Sequence, residues 1–286
     1  MPVDICYINL DRTEDRRAFM KAQARAHGIA LTRFSARDAA SLDPDEFSRL
    51  SRTWERPITP NEFALFLSHR ALWERAAATD GGLVILEDDA VLSPRFAEAV
   101  QRLPDGFDLL NFESYGRRKF MARRAAFESP LLSVTQIFRE KSGTAGYHVS
   151  PAGARKLLAL ANTRAAPSDA FIYAVARLRI GQVEPALVMQ VHLLAERGID
   201  AGITTATSIH QPRRRLGYEA ENWPFHRRRL ATSLGLVPQH VRRLLDADFR
   251  APRIDLEEFR RVLPVAMPAG EGAASEPAQP SSQSAS

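Results

Sequence analysis

Leu83-Val84-Ile85-Leu86-Glu87-Asp88-Asp89 sets four apolar residues directly before three carboxylates. An apolar run this short, preceded by the chain-turning Asp80-Gly81-Gly82, predicts a strand buried on both faces, as in a sheet covered by helices. The flanking sequence alternates in the same sense. Residues 3–8 (Val-Asp-Ile-Cys-Tyr-Ile) predict an opening strand, then a loop and a helix over 13–27 capped by Thr13 and stopped by Gly28. Residues 29–34 predict a second strand, and 35–57 an irregular excursion with a short helix. Thr59-Pro60-Asn61-Glu62 is a capping box with proline at the first helical position, opening a helix to about residue 78.

Beyond the acidic run, Ser93-Pro94 predicts a helix start, 107–112 a strand, and the basic stretch 117–139 an irregular mobile loop. Residues 143–149 predict a glycine-spaced strand followed by a helix capped by Ser150-Pro151. Pro167-Ser168-Asp169 predicts another helix ending near Gly181, and 183–191 the last strand. This alternation gives an α/β fold class with a mostly parallel central sheet.

Composition bounds the function classes. The 286 residues, 26% charged and 45% hydrophobic, suffice for one large domain or two small ones with an ordinary core. The single cysteine, Cys6, excludes an internal disulfide framework and an all-cysteine zinc site. The N-terminal residues carry no signal-peptide pattern and no run is long enough to span a bilayer, so a soluble cytoplasmic protein is the expectation. The net charge of +5 is concentrated: residues 210–250 hold nine arginines against four acids. Such a block suits phosphate groups or an anionic membrane surface, or is a solvated face of an arginine-rich chain.

The acidic run has two readings by chemistry alone. Ligands of open α/β sheets bind at the carboxyl ends of strands, and carboxylates there hold Mg²⁺ or Mn²⁺, which in turn bind phosphate oxygens. Alternatively, the acids solvate a loop.

Several motifs together resemble one family. Tyr7-Ile8-Asn9-Leu10-Asp11-Arg12 with Asp15-Arg16, Thr59-Pro60-x-Glu62 with Ser68-His69, Ile85-Leu86-Glu87-Asp88-Asp89, Gly146-Tyr147-x-Val149-Ser150-x-x-Gly153-Ala154 and Pro167-x-Asp169 follow the order and spacing of glycosyltransferase family 25. The resemblance implies a GT-A-like domain over residues 1–210, a UDP-sugar donor, a divalent metal (Mn²⁺ or Mg²⁺) and inversion at the anomeric carbon. It implies Glu87, Asp88 and Asp89 as metal ligands, Asp89 foremost. Asn9, Leu10, Arg12, Arg16, Ser68, His69 and Tyr147 become donor-binding candidates, and Asp169 the catalytic base. Each has a plainer alternative. Arg12 and Arg16 suit phosphate or uracil edges but equally a solvated helix start. Glu62 belongs to the capping box. Ser68, His69 and Tyr147 can be core groups, and Asp169 a helix cap. His192 and His210 are candidate additional metal ligands.

The expected acceptor is a glycan or lipid-linked oligosaccharide such as lipopolysaccharide core, and galactose the expected hexose. No nucleic-acid partner is expected. Residues 211–263 are expected to form a basic, mostly helical extension, and 264–286 a disordered tail. The competing readings are a non-catalytic family member that binds a glycan or protein partner, and a metal-dependent nucleotidyl- or phosphotransferase.

Overall fold

The computed structural model describes residues 3–140, 143–204, 216–238, 241 and 246–265. Its strands are β1 Asp4–Asn9, β2 Thr32–Ser35, β3 Leu83–Glu87, β4 Ala90–Leu92, β5 Leu109–Asn111, β6 Lys119–Ala122, β7 Phe127–Glu128, β8 Ser133–Arg139, β9 Gly146–Val149, β10 Ile180–Glu184, β11 Val188–Gln190 and β12 Ala247–Arg250. The helices are α1 Glu14–His27, α2 Pro44–Leu50, α3 Pro60–Ala77, α4 Phe96–Ala99, α5 Pro151–Ala161, α6 Ser168–Ala170, α7 Val191–Ala195, α8 Trp223–Gly235 and α9 Leu256–Val262. The main sheet runs β12-β6-β8-β10-β5-β9-β3-β1-β2, with β7 beside β8, and β11-β4 forms a separate ribbon. The fold is the expected α/β type. Its sheet is mixed: β2-β1-β3 and β5-β10 pair in parallel, and antiparallel β9 lies between β3 and β5.

Burial follows from the pleat, which sends successive side chains to opposite faces. Ile5, Tyr7, Val84 and Leu86 enter one core with Phe19 and Met20 of α1, while Cys6, Ile8, Leu83 and Ile85 enter the other with Phe63, Phe66 and Trp73 of α3. The capping box forms as read: Thr59 Oγ1 accepts from Glu62 N, and Glu62 Oε2 accepts from Thr59 N. Glu62 is also held by Arg56, at 2.6 and 2.8 Å.

Five local expectations change. The second strand starts at Thr32. Thr13 makes no capping bond to the helix; its hydroxyl donates to Leu10 O and accepts from Asn9 Nδ2. Residues 117–139 are not a loop, because β6, β7 and β8 lie there and join the main sheet. Lys119 and Arg139 suggest solvent, but Lys119 is buried, pairs with Glu140 and donates to Gln182 Oε1 at 2.8 Å. The helix expected from 167 to 181 stops after α6 and a wide turn over Phe171–Val175. Ala176 is extended, and Ile180 pairs with Leu109 of β5. The expected strand over 183–191 divides into β10 and β11.

Part of the segment read as an extension is built into the sheet. Phe249 of β12 pairs with Phe120 of β6, and Phe259 of α9 is fully buried in the core. Burial would raise the Glu184 carboxyl, but Arg250, gripping it through two 2.6 Å hydrogen bonds, and Arg253 N hold it below its usual range. Residues 213–215, 242–243 and 266–286 lie outside the described residues.

α5 starts where Ser150 Oγ accepts from Gly153 N and donates to Asp108 O. A β-carbon on Gly153 would lie 2.1 Å from Asp108 O. A helical glycine replaced by alanine ordinarily gains about 0.5–1 kcal/mol, yet Gly153→Ala is expected to lower the melting temperature, because backbone must move. A melting temperature equal to or above wild type would show that this approach is not tight.

Candidate functional site

The carboxyl ends of β1, β3 and β5 face one region, and the acidic run occupies its centre. Asp88 turns toward β1. It accepts from Asn9 Nδ2 at 2.8 Å and from Arg16 Nη1 at 2.9 Å, while Arg33 Nε donates to Asn9 Oδ1 at 2.9 Å. Asn9, Arg16 and Asp88 thus brace one another. Leu10 offers its carbonyl to Thr13, and Arg12 points outward, paired with exposed Asp38.

Asp89 is differently placed. Its carbonyl accepts from Val191 N at 3.0 Å, and its Oδ1 is buried without a hydrogen-bond partner. Burial first, then the charges of Glu87 and Asp88, push its pKa up to about 7 against the pull of Arg16. The following strand is fixed by Gln23 of α1, which donates to Ala90 O and accepts from Leu92 N, both at 2.8 Å.

Glu87 accepts from Thr144 Oγ1 at 2.5 Å and has His69 Nε2 3.8 Å away. Burial alone would raise it, but His69, Thr144 and Arg16 hold its carboxyl below the usual value. His69 is fully buried. The Tyr147 hydroxyl accepts from Trp73 Nε1 at 2.9 Å and shares a 2.8 Å hydrogen bond with His69 Nδ1. Tyr147 and Trp73 thus hold the imidazole in place beside Glu87 from inside the core. Ser68 is also structural: it accepts from Arg37 N and donates to Ala64 O.

A fourth carboxylate, Glu113, escaped the sequence reading. It follows β5, is 1% exposed, accepts from Ala145 N through Oε2 and leaves Oε1 unmatched. Burial, then the charge of Glu87, and that of Asp89 beyond it, push its carboxyl well above the usual value. The available signal was an acid directly after an apolar strand, as at Glu87.

Asp169 does not cap a helix. Pro167 occupies that position, and Asp169 Oδ1 accepts from the next amide, Ala170 N, at 2.7 Å. Its charge reaches Tyr115, whose pKa is raised by burial and then by Glu113, Glu87, Asp169 and Asp89. One phenol thus lies in the field of the acidic run and of Asp169 together. Tyr115 donates to Gln190 Oε1 and packs edge-on against His192, which follows the Val191 amide bonded to Asp89. His210 lies outside the described residues. A cavity of about 360 Å³ opens between Tyr173–Arg177 and α8, with Trp54 and Arg164 in its wall.

Among the described residues, no group of three or more potential ligand side chains encloses a metal position. Mg²⁺ is commonly held by one or two carboxylates, with water and substrate phosphate completing its shell. The unmatched Asp89 oxygen beside Glu87 fits that donor set; Asp88, occupied by Asn9 and Arg16, fits it less well.

The family model "Glycosyltransferase family 25 (LPS biosynthesis protein)" matches residues 4–172, which include Glu87, Asp88, Asp89, Glu113 and Asp169. A "Glycosyltransferase 25 family member" of Aedes aegypti is 30% identical over 172 residues, covering 54% of this chain and 27% of that protein. "Procollagen galactosyltransferase 2" of Homo sapiens is 23% identical over 235 residues, covering 71% of this chain and 37% of the human protein. A "Glycosyltransferase 25 family member" of Drosophila pseudoobscura pseudoobscura is 28% identical over 168 residues, covering 54% and 27%. The matched region thus spans about a quarter to somewhat over a third of these curated relatives.

Asp89 supplies a pH test. Between its ordinary value of 3.8 and about 7, the unfolded chain has released the proton that the folded chain retains. Stability therefore falls as pH rises through that window, and the cost is fully present above it. Without divalent cation, Asp89→Asn is expected to melt above wild type at about pH 8, the two converging near about pH 4. A gap unchanged with pH would remove Asp89 as the titrating group.

Proposed function

The chain belongs to glycosyltransferase family 25, and from that membership we propose that it transfers a hexose, galactose foremost, from a UDP-sugar to a glycan hydroxyl with inversion. The observation that carries the reading is the buried, unmatched Asp89 oxygen at the carboxyl end of β3, where open α/β sheets bind nucleotides. The acceptor in this reading is a lipid-linked or surface glycan such as lipopolysaccharide core. An anionic membrane, reached through the arginine-rich C-terminal segment, is its setting in the cytoplasm.

A bound Mn²⁺ or Mg²⁺ would act as a Lewis acid toward the departing diphosphate. Asp89 and Glu87 would hold it. The Asn9–Arg16–Asp88 brace fixes the backbone around that end. His69 and Tyr147 keep Glu87 oriented, acting through it rather than on the sugar. Inversion by direct displacement requires a base that takes the acceptor hydroxyl's proton on the face opposite the leaving group. Asp169 fills that role: its Oδ1 accepts from Ala170 N, and it shares the field around Tyr115 with the acidic run.

A donor panel tests the reading. Thermal stabilisation and metal-dependent hydrolysis are measured across UDP-, GDP- and CMP-sugars; a ligand at 100 times its Kd adds about 2.7 kcal/mol. UDP-sugars are expected to stabilise the protein, and Asp89→Asn to abolish metal-dependent turnover. Asp169→Asn is expected to lose about 10²-fold or more in transfer while still binding donor. Stabilisation by none of the donors, or a product whose mass shows nucleotidyl or phosphoryl transfer, would overturn the assignment. A normal transfer rate in Asp169→Asn would move the base elsewhere.

A further inference from the structure

α8 is fastened to the domain along one side only. Phe225 is 2% exposed, its ring covered by the guanidinium groups of Arg52 and Arg228 at 5.1 and 5.5 Å. Arg228 also donates to Arg52 O at 2.7 Å. With 3.6 residues per turn, Trp223, Leu230 and Leu234 fall within about 40° of one another and about 160° from Phe225. All three are outward, at 63, 61 and 61% exposure, and Val237 and Val241 continue the exposed apolar series beyond the helix. Arg227 borders this stripe. Neither Arg227 nor the likewise exposed Arg229 has a carboxylate partner among the described residues.

We propose that this face of α8 docks on the surface of an anionic lipid bilayer, with Trp223, Leu230 and Leu234 entering the interface and Arg227 at its border meeting lipid phosphate, while Arg229, about 40° from Phe225, adds positive charge from the flank. An interfacial helix combines such an apolar stripe with flanking cations, and tryptophan favours the headgroup level. The charges select this occupant. A symmetric contact with a second copy would bring Arg227 toward its own counterpart with no acid on the stripe to offset it. A neutral apolar partner would leave its guanidinium group unused. The inference names the contact face for the membrane setting proposed above; it stands on α8 and not on the transfer chemistry.

The test is sedimentation of the full chain with phosphatidylcholine vesicles, with and without phosphatidylglycerol, while tryptophan emission is followed. Binding is expected only with phosphatidylglycerol, with a blue shift that Trp223→Ala removes and with weakening as salt rises. The doubles Leu230→Ser/Leu234→Ser and Arg227→Gln/Arg229→Gln are each expected to lower partitioning about tenfold or more. All these side chains are exposed, so their melting temperatures and UDP-sugar hydrolysis without vesicles should match wild type. That separates this proposal from the transfer reading: hydrolysis can fail with docking intact, and the reverse. Equal binding to both vesicle types, binding to neither, or wild-type partitioning in the leucine double would overturn it. Self-association abolished by Leu230→Ser/Leu234→Ser would assign the face to a second copy instead.

Discussion

A carboxylate can be buried only where something compensates its charge, and the acidic end of β3 applies that constraint three times with different results. Asp88 is compensated by Arg16 and Asn9, and that brace ties α1 and the β1 loop to the sheet. Glu87 is compensated by Thr144 and His69. Asp89 is left with a buried oxygen that no hydrogen-bond donor among the described residues meets, and burial together with the charges of Glu87 and Asp88 raises its pKa.

The supports around this end are mostly structural. Trp73, Tyr147 and His69 form a buried hydrogen-bonded chain that fixes the imidazole beside Glu87 from the core side. Gln23 satisfies both backbone groups that would otherwise be left by β4. Residues that look catalytic by type, such as His69 and Ser68, act here through packing and hydrogen bonds. Glu113, absent from the motifs, adds a further buried carboxyl to the same field.

The opposite economy governs α8. A short anchor, Phe225 between two guanidinium groups, suffices to hold the helix, and the remaining apolar surface is left outward beside uncompensated arginines. In both places function is read from what the fold leaves unsatisfied.

The sequence alone determined the parts that depend on neighbours a few residues away. The apolar run 83–86, the capping box at Thr59 and Glu62, and the Ser150 cap are local patterns, and their elements stand where they were read. The ordered motifs also made the family legible. Tertiary structure decided what depends on partners far along the chain. Asp88 and Asp89 are alike in sequence; Asn9 and Arg16, more than seventy residues earlier, separate a braced carboxylate from an unmet one. Likewise, 117–139 resembles a loop because pairing of β6 with β12 and of Lys119 with Glu140 cannot be seen in local periodicity. The outward face of α8 became visible only once Phe225 was buried on the other side. Helix and strand signals are short-range; charge compensation and burial are set by whatever the fold brings alongside.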